Sequence, residues 1–180
     1  VFVMGEITTE IYVSIPDVVR SVLLDIGYNS SKIGFDGNTC AVLTSVHEQS
    51  PDISAGVSKA VETRDDQAAH QETGAGDQGL MFGYACTETE ELMPMAIALA
   101  HRLTRKMTEV RKSGLCPWMR PDGKSQVTVV YEYGVPVSID NIVISTQHDE
   151  RVSQKEIEQA MIEQVIRAVI TAHLLTGGTR

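Results

Sequence analysis

Apolar positions along this chain switch several times between a strand-like alternation and a helical stripe. Val1 to Met4 is apolar and reads as a strand. Gly5-Glu6 breaks it, and Thr8 to Val13 reads as a second strand. Ser14 then offers a helix cap and Pro16 suits a first helical turn. Val18, Val19, Val22, Leu23 and Ile26 share one helical face, and Gly27 is a natural stop. Ser30 to Gly37 is predicted as a loop, and Cys40 to Val46 as a strand leading directly into Gln49. Leu80 to Thr87 is predicted as a strand. Pro94 opens the longest helix, whose stripe is Ala96, Leu99, Ala100, Leu103, Met107 and Val110, with Arg102, Arg105 and Lys106 on other faces. Gly114 ends it. Pro117 to Lys124 is predicted as a loop, Gln126 to Tyr133 as a strand, Gly134 as a turn, and Val137 to Thr146 as the returning strand. Ser153-Gln154-Lys155-Glu156 is a capping box opening a helix to about Ile170. Leu174 to Arg180 has turn residues and no pattern. The order β-β-α-β, loop, β-α-β-β-α argues an α+β class, with mixed or antiparallel sheets and helices on one face.

Between these patterned parts lies the stretch from Gln49 to Gly79. Ser54 to Thr73 carries no sustained period and includes Gly56 and the charged residues Glu62, Arg64, Asp65 and Asp66. A segment of this length without structure of its own is usually functional or disordered, and few apolar anchors is the composition of an active-site lid. Gly74, Gly76 and Gly79 allow tight turning and close approach of backbone to a ligand. Asp77 between them is either an ordinary turn aspartate or a carboxylate held on a bend beside a bound molecule.

Composition narrows the function classes. The chain has 180 residues, of which 42% are hydrophobic, enough for a real core. Fifteen Lys and Arg against 24 Asp and Glu give a formal charge of −9, which repels polyanions and argues against nucleic-acid binding. A local cationic pocket can still hold a phosphorylated small molecule. Cys40, Cys86 and Cys116 are odd in number and widely spaced, so neither a disulfide scaffold nor a zinc site is indicated, and a reduced, cytoplasmic setting is expected. No apolar run approaches the roughly 18 to 20 residues of a membrane span. There is no signal peptide, and Val1-Phe2-Val3-Met4 looks like the interior of a strand, so the expectation is a chain truncated at its start.

Few side chains stand out for chemistry on type alone. Glu6 is a solvated turn carboxylate or an ammonium ligand. Gln49 has an amide able to donate to a carboxylate or accept from an ammonium. Asp122 and Lys124 are either a surface pair of little energetic value or a phosphate-directed point charge beside an acceptor for a ribose hydroxyl or base amine. Met93, Met95, Met107 and Met161 read as core filling. His101 reads as packing or surface, His47, His70 and His173 have no metal-ligand spacing, and Trp118 reads as packing beside Pro117.

Several blocks, taken in order, resemble the S-adenosylmethionine synthetase (methionine adenosyltransferase) family. They are Gly5-Glu6-Ile7-Thr8-Thr9, Gly34-Phe35-Asp36, Gln49-Ser50-Pro51-Asp52-Ile53, and Gly74-Ala75-Gly76-Asp77-Gln78-Gly79-Leu80-Met81-Phe82-Gly83-Tyr84. Glu109-Val110-Arg111-Lys112, Arg120-Pro121-Asp122-Gly123-Lys124-Ser125-Gln126-Val127 and Ser145-Thr146-Gln147-His148 continue the match, which reaches about Ile170. The resemblance implies similar βαβ-type subdomains around a pseudo-threefold. It places the latter part of an N-terminal region at 1–50, a flexible active-site gating loop at 51–73, and a central domain at 74–180.

For the site, the resemblance implies that Glu6 and Gln49 hold methionine. Gln49, Ser50, Pro51, Asp52 and Ile53 would open the gating loop, Asp77 would stand at the shared nucleotide and methionine site, and Asp122, Gly123 and Lys124 would bind ATP. Asp77 and Lys124 are the implied catalytic residues. The implied reaction joins the methionine sulfur to C5′ of ATP, expels triphosphate, and cleaves it to pyrophosphate and phosphate. Mg2+ (two ions per site) and K+ are the implied cofactors, although the family's metal ligands and catalytic histidine match nothing in this chain. The implied partners are ATP, L-methionine and further copies of the chain in a homodimer or homotetramer, with no nucleic acid and no membrane. A competing expectation is a non-catalytic fragment acting as a ligand-binding or assembly module.

Overall fold

The computed structural model describes residues 1–58 and 80–180, and for residues 55–58 the backbone only. The polypeptide divides into two units, Val1–Phe82 and Gly83–Arg180.

In the first unit, β1 (Phe2–Glu6) pairs in parallel with β4 (Leu43–His47), in register from Phe2 opposite Leu43 to Glu6 opposite His47. Parallel neighbours require a crossover, which α1 (Ile15–Ile26) supplies. Pro16 stands in the first turn of α1, and Gly27, left-handed at φ 114°, donates its N–H to the carbonyls of Leu23 and Leu24. Ser14 occupies the cap position, but its side chain makes no capping bond; its carbonyl accepts from the Val18 N–H instead. The expected loop at Ser30 to Gly37 contains a small antiparallel pair, β2 (Asn29–Ser30) with β3 (Phe35–Asp36), around a 3-10 turn. The Tyr28 and Phe35 rings meet edge to face at 5.2 Å beside it.

The expected strand at Cys40 to Val46 begins later, at Leu43. The Arg20 guanidinium donates to the carbonyls of Gly37 (2.6 Å), Asn38 (3.0 Å) and Cys40 (3.1 Å), which holds that stretch in a turn. Gly37 has no room for a side chain there, since a Cβ would come within 2.8 Å of the Leu23 Cβ.

Three expectations are corrected. Thr8 to Val13 is not a strand: it leaves β1 by way of Ile7 N–H to the His47 carbonyl (2.9 Å), finds no strand to pair with among the described residues, and leaves Ile11 and Tyr12 exposed. Leu80 to Thr87 is likewise unpaired, with Leu80, Met81, Phe82 and Tyr84 exposed. Strand propensity is a preference for a pleated, half-buried surface and does not create a strand without a neighbour. Third, Pro51 to Ser58, expected as the start of a flexible gating loop that is aperiodic from Ser54, is helical (α2).

The second unit is a long hairpin covered by helices. Its elements are α3 (Met95–Lys112), β5 (Met119–Glu132), β6 (Val135–His148), and a helical segment running from α4 (Gln154–Ala160) through a π-helical turn (Met161–Ile166) to α5 (Arg167–Val169). The hairpin turns on Tyr133 (φ 51°) and Gly134 (φ 81°). Two consecutive left-handed residues are the mark of the turn that matches strand twist. Leu99, Leu103, Met107 and Val110 of α3 pack into one core with Val127 and Ile139 of the hairpin and Ile157, Met161 and Val165 of the C-terminal helical segment. Ser125 Oγ donates to the Ala100 carbonyl at 2.7 Å, fixing α3 on the sheet.

Pro94 cannot cap α3, and Glu88 does so from seven residues upstream: its carboxylate accepts the Met95 N–H (2.8 Å) and the Tyr131 hydroxyl (2.6 Å). The capping box at Ser153 is present in full. The expected loop at Pro117 to Lys124 is a strand from Met119 onward, but an irregular one. The α+β reading matches these elements, whose sheets are one parallel and two antiparallel pairs among the described residues. Among the described residues no helix is long and apolar enough to cross a membrane.

Candidate functional site

The two halves of the implied site fall in different units. In the first unit, Glu6 is the last residue of β1 and Gln49 stands two residues past the end of β4. The strands are parallel, so both residues emerge at the same, carboxyl edge of the pair, where open α/β sheets collect their ligands. The Thr8 hydroxyl donates to Gln49 Oε1 at 3.0 Å, fixing the amide so that its nitrogen is the group left to donate. Glu6 is exposed and makes no ion pair among the described residues. This edge therefore offers one acceptor with negative charge and one oriented donor, complementary to the ammonium and carboxylate of an amino acid. The Ser50 carbonyl accepts the Ser54 N–H at 2.9 Å, which seats α2 immediately after Gln49. A proline at the first helical position with an acid behind it, Pro51-Asp52, is a helix-start signal the sequence reading missed. Asp77, Gly74, Gly76, Gly79, His70 and the gating segment 59–73 lie outside the described residues.

In the second unit, Asp122, Gly123 and Lys124 sit at a break in the β5–β6 ladder. Met119 pairs with His148 and the next pair is Gly123 with Thr146, so Arg120, Pro121 and Asp122 together oppose Gln147 alone. Pro121 has no N–H to give to a ladder, so such a residue is confined to edges and bulges. Bulges re-aim side chains and recur beside active sites. Beyond the bulge the alternation is regular. Gly123, Ser125 and Val127 face α3, and Lys124, opposite Ser145, faces the other way and is exposed. Between the bulge and α3 lies a hollow of about 70 Å³ bordered by Thr104, Thr108, Arg111, Arg120 and Asp122.

The sequence reading passed over the cluster at the base of the bulge. Arg120 Nη2 donates to Asp149 Oδ2 at 3.0 Å, and Arg151 donates to both Asp149 oxygens at 2.8 and 3.0 Å. The guanidinium of Arg151, with that of Arg120 behind it, holds the Asp149 carboxyl far below the usual carboxylate range. Arg120 and Asp149 are 29 residues apart, and only the hairpin brings them together. Among the described residues no three His, Cys, Asp or Glu side chains converge as a metal cage would require.

Family models match this sequence in two parts: the N-terminal domain of S-adenosylmethionine synthetase over residues 1–51, and its central domain over residues 72–180. The chain belongs to the S-adenosylmethionine synthetase family. An S-adenosylmethionine synthase of Kosmotoga olearia is 54% identical over 177 residues, which is 98% of this chain and 45% of the relative. The chain thus spans less than half the length of that relative. Within the family match, the β1–β4 edge belongs to the N-terminal domain and the β5–β6 bulge to the central domain.

Proposed function

We propose that this chain takes part in making S-adenosylmethionine from ATP and L-methionine, with a methionine-holding edge in its first unit and a nucleotide-holding bulge in its second. In this reading the expelled triphosphate is then cleaved to pyrophosphate and phosphate. The observation that carries the reading is the state of the implied residues. Glu6, Asp122 and Lys124 are exposed at a strand end or a bulge and take part in no ion pair among the described residues, and Gln49 is pre-oriented by Thr8.

Glu6 accepts from the methionine ammonium, and Gln49 donates to its carboxylate. Asp77, outside the described residues, is assigned to the same chemistry on the family resemblance alone. Asp122 accepts from a hydroxyl or amine of the nucleoside, and Lys124 places a compact positive charge against the phosphates. Thioether sulfur is already a nucleophile and needs no base. The barrier lies in the leaving triphosphate, whose growing charge a fixed cation stabilises more in the transition state than in the ground state. Ser50 to Ile53 open the stretch that this reading takes as the gating loop. Mg2+ and K+ belong to the same reading as further charge on the phosphates. The described residues do not form a cage for either ion, and none is assigned as a ligand. Assembly as a homodimer or homotetramer in the cytoplasm is part of the same proposal.

The test is Lys124→Ala in the protein made from the complete reading frame. ATP binding weakens by about tenfold to a hundredfold, the range of one charge-assisted hydrogen bond, while methionine binding changes far less. Equal losses for both ligands, or none for ATP, contradict the assignment.

A further inference from the structure

We propose that Asp149 is a positioning residue for the nucleotide-binding bulge: it sets affinity for ATP through Arg120 without touching the nucleotide. This inference rests on the reading of Asp122 and Lys124 given above. Three residues opposite one break the register of the ladder, and a further restraint on the bulge is what would hold it in a single shape. On its α3 side it borders the 70 Å³ hollow, which gives it little to lean on. On its other flank Arg120, itself part of the bulge, is tied to the Pro117 carbonyl (3.3 Å) and to Asp149 (3.0 Å).

Asp149 is in turn fixed by further bonds. Its own N–H donates to the Trp118 carbonyl at 2.9 Å, and its carboxylate accepts from Arg151 through the backbone N–H (3.0 Å), Nε (2.8 Å) and Nη2 (3.0 Å). Its side chain is only 17% exposed, against 84% for Arg151. The carboxylate is thus a fixed point at the open end of the hairpin, and Arg120 carries that fixity to a position two residues from Asp122 and four from Lys124. Single pairs of this kind add little to stability. A bond whose value lies in geometry shows instead in the ligand it positions, because loosening a bound group lowers affinity for that ligand alone.

The experiment compares Asp149→Asn and Asp149→Glu with the parent protein from the complete reading frame, reading ATP and methionine affinities separately. Asp149→Asn keeps the shape, weakens the hold on both guanidinium groups, and is expected to weaken ATP binding by about threefold to tenfold. Methionine binding stays within a factor of about two, as it is held by the other unit. Asp149→Glu restores the charge and regains part of the ATP affinity. Unchanged ATP affinity in Asp149→Asn, equal losses for both ligands, or no recovery with Asp149→Glu each overturn the proposal. Lys124→Ala, run alongside, separates the two failures. If it weakens ATP binding and Asp149→Asn does not, only the positioning role falls. If it leaves ATP binding intact, the nucleotide reading falls and this inference with it.

Discussion

Gly123 shows how closely β5 is seated on α3. A Cβ built there meets the Met107 terminal methyl at 2.8 Å and the Ser145 carbonyl at 3.4 Å. The methyl ends a flexible side chain and can move, so Gly123→Ala is expected to fold with a loss of roughly 1 kcal/mol, the low end for overpacking. Thermal unfolding checks this, and a stabilised variant would contradict it. Glu91 carries a second prediction. Its two hydrogen bonds to the Arg102 guanidinium, at 2.8 and 2.5 Å, hold its pKa at about 2 against an ordinary 4.5. A carboxylate whose folded-state value is depressed contributes stability above its unfolded value, and that contribution is lost as pH falls through the folded value. Glu91→Gln should therefore flatten the decline of melting temperature between pH 4.5 and about 2. Both side chains are exposed enough for solvent to screen the pair, so the change at neutral pH is small. An acid limb identical to that of the parent would count against this pair as its source.

At the scale of elements, α1, α3 and the helix of Ser153 were legible, as were the main parts of β1, β4 and the β5–β6 hairpin, whereas α2 was missed and two expected strands do not form. The α3 stripe holds because Leu99, Leu103, Met107 and Val110 recur at helical spacing and all are buried. Leu103 is fully enclosed, so Leu103→Ala should cost about 2–5 kcal/mol through lost contacts and a cavity. A much smaller fall in denaturant midpoint would mean that α3 is not packed as described. The helix of Ser153 was readable because its cap is local, with Ser153 and Glu156, three residues apart, bonding to each other. Strands depend on a partner elsewhere in the chain, which is why Thr8 to Val13 and Leu80 to Thr87 carry strand residues without forming strands. The β5 bulge was invisible for a related reason: Pro121, Asp122 and Gly123 interrupt the alternation and so read as a loop, whereas the ladder resumes on both sides of them. The residue types of the site were legible from the motif blocks, but Asp149 was not, since its role comes from a contact across the hairpin.

For the whole molecule, the central claim is that its two units carry separate parts of one chemistry, an amino-acid edge in the first and a nucleotide bulge in the second. The two family models divide the chain in the same place: residues 1–51 contain Glu6 and Gln49, and residues 72–180 contain Asp122 and Lys124. The claim predicts that damage to one part spares the ligand of the other: Glu6→Gln weakens methionine binding with little effect on ATP, the mirror image of Lys124→Ala. The most direct measurement is product formation. Protein from the complete reading frame is incubated with ATP, methionine, Mg2+ and K+, and S-adenosylmethionine is followed by mass spectrometry, with Lys124→Ala in parallel. The account predicts product from the parent protein and a large loss of rate in the variant at limiting ATP. No product from folded protein, or an equal rate in the variant, would contradict it.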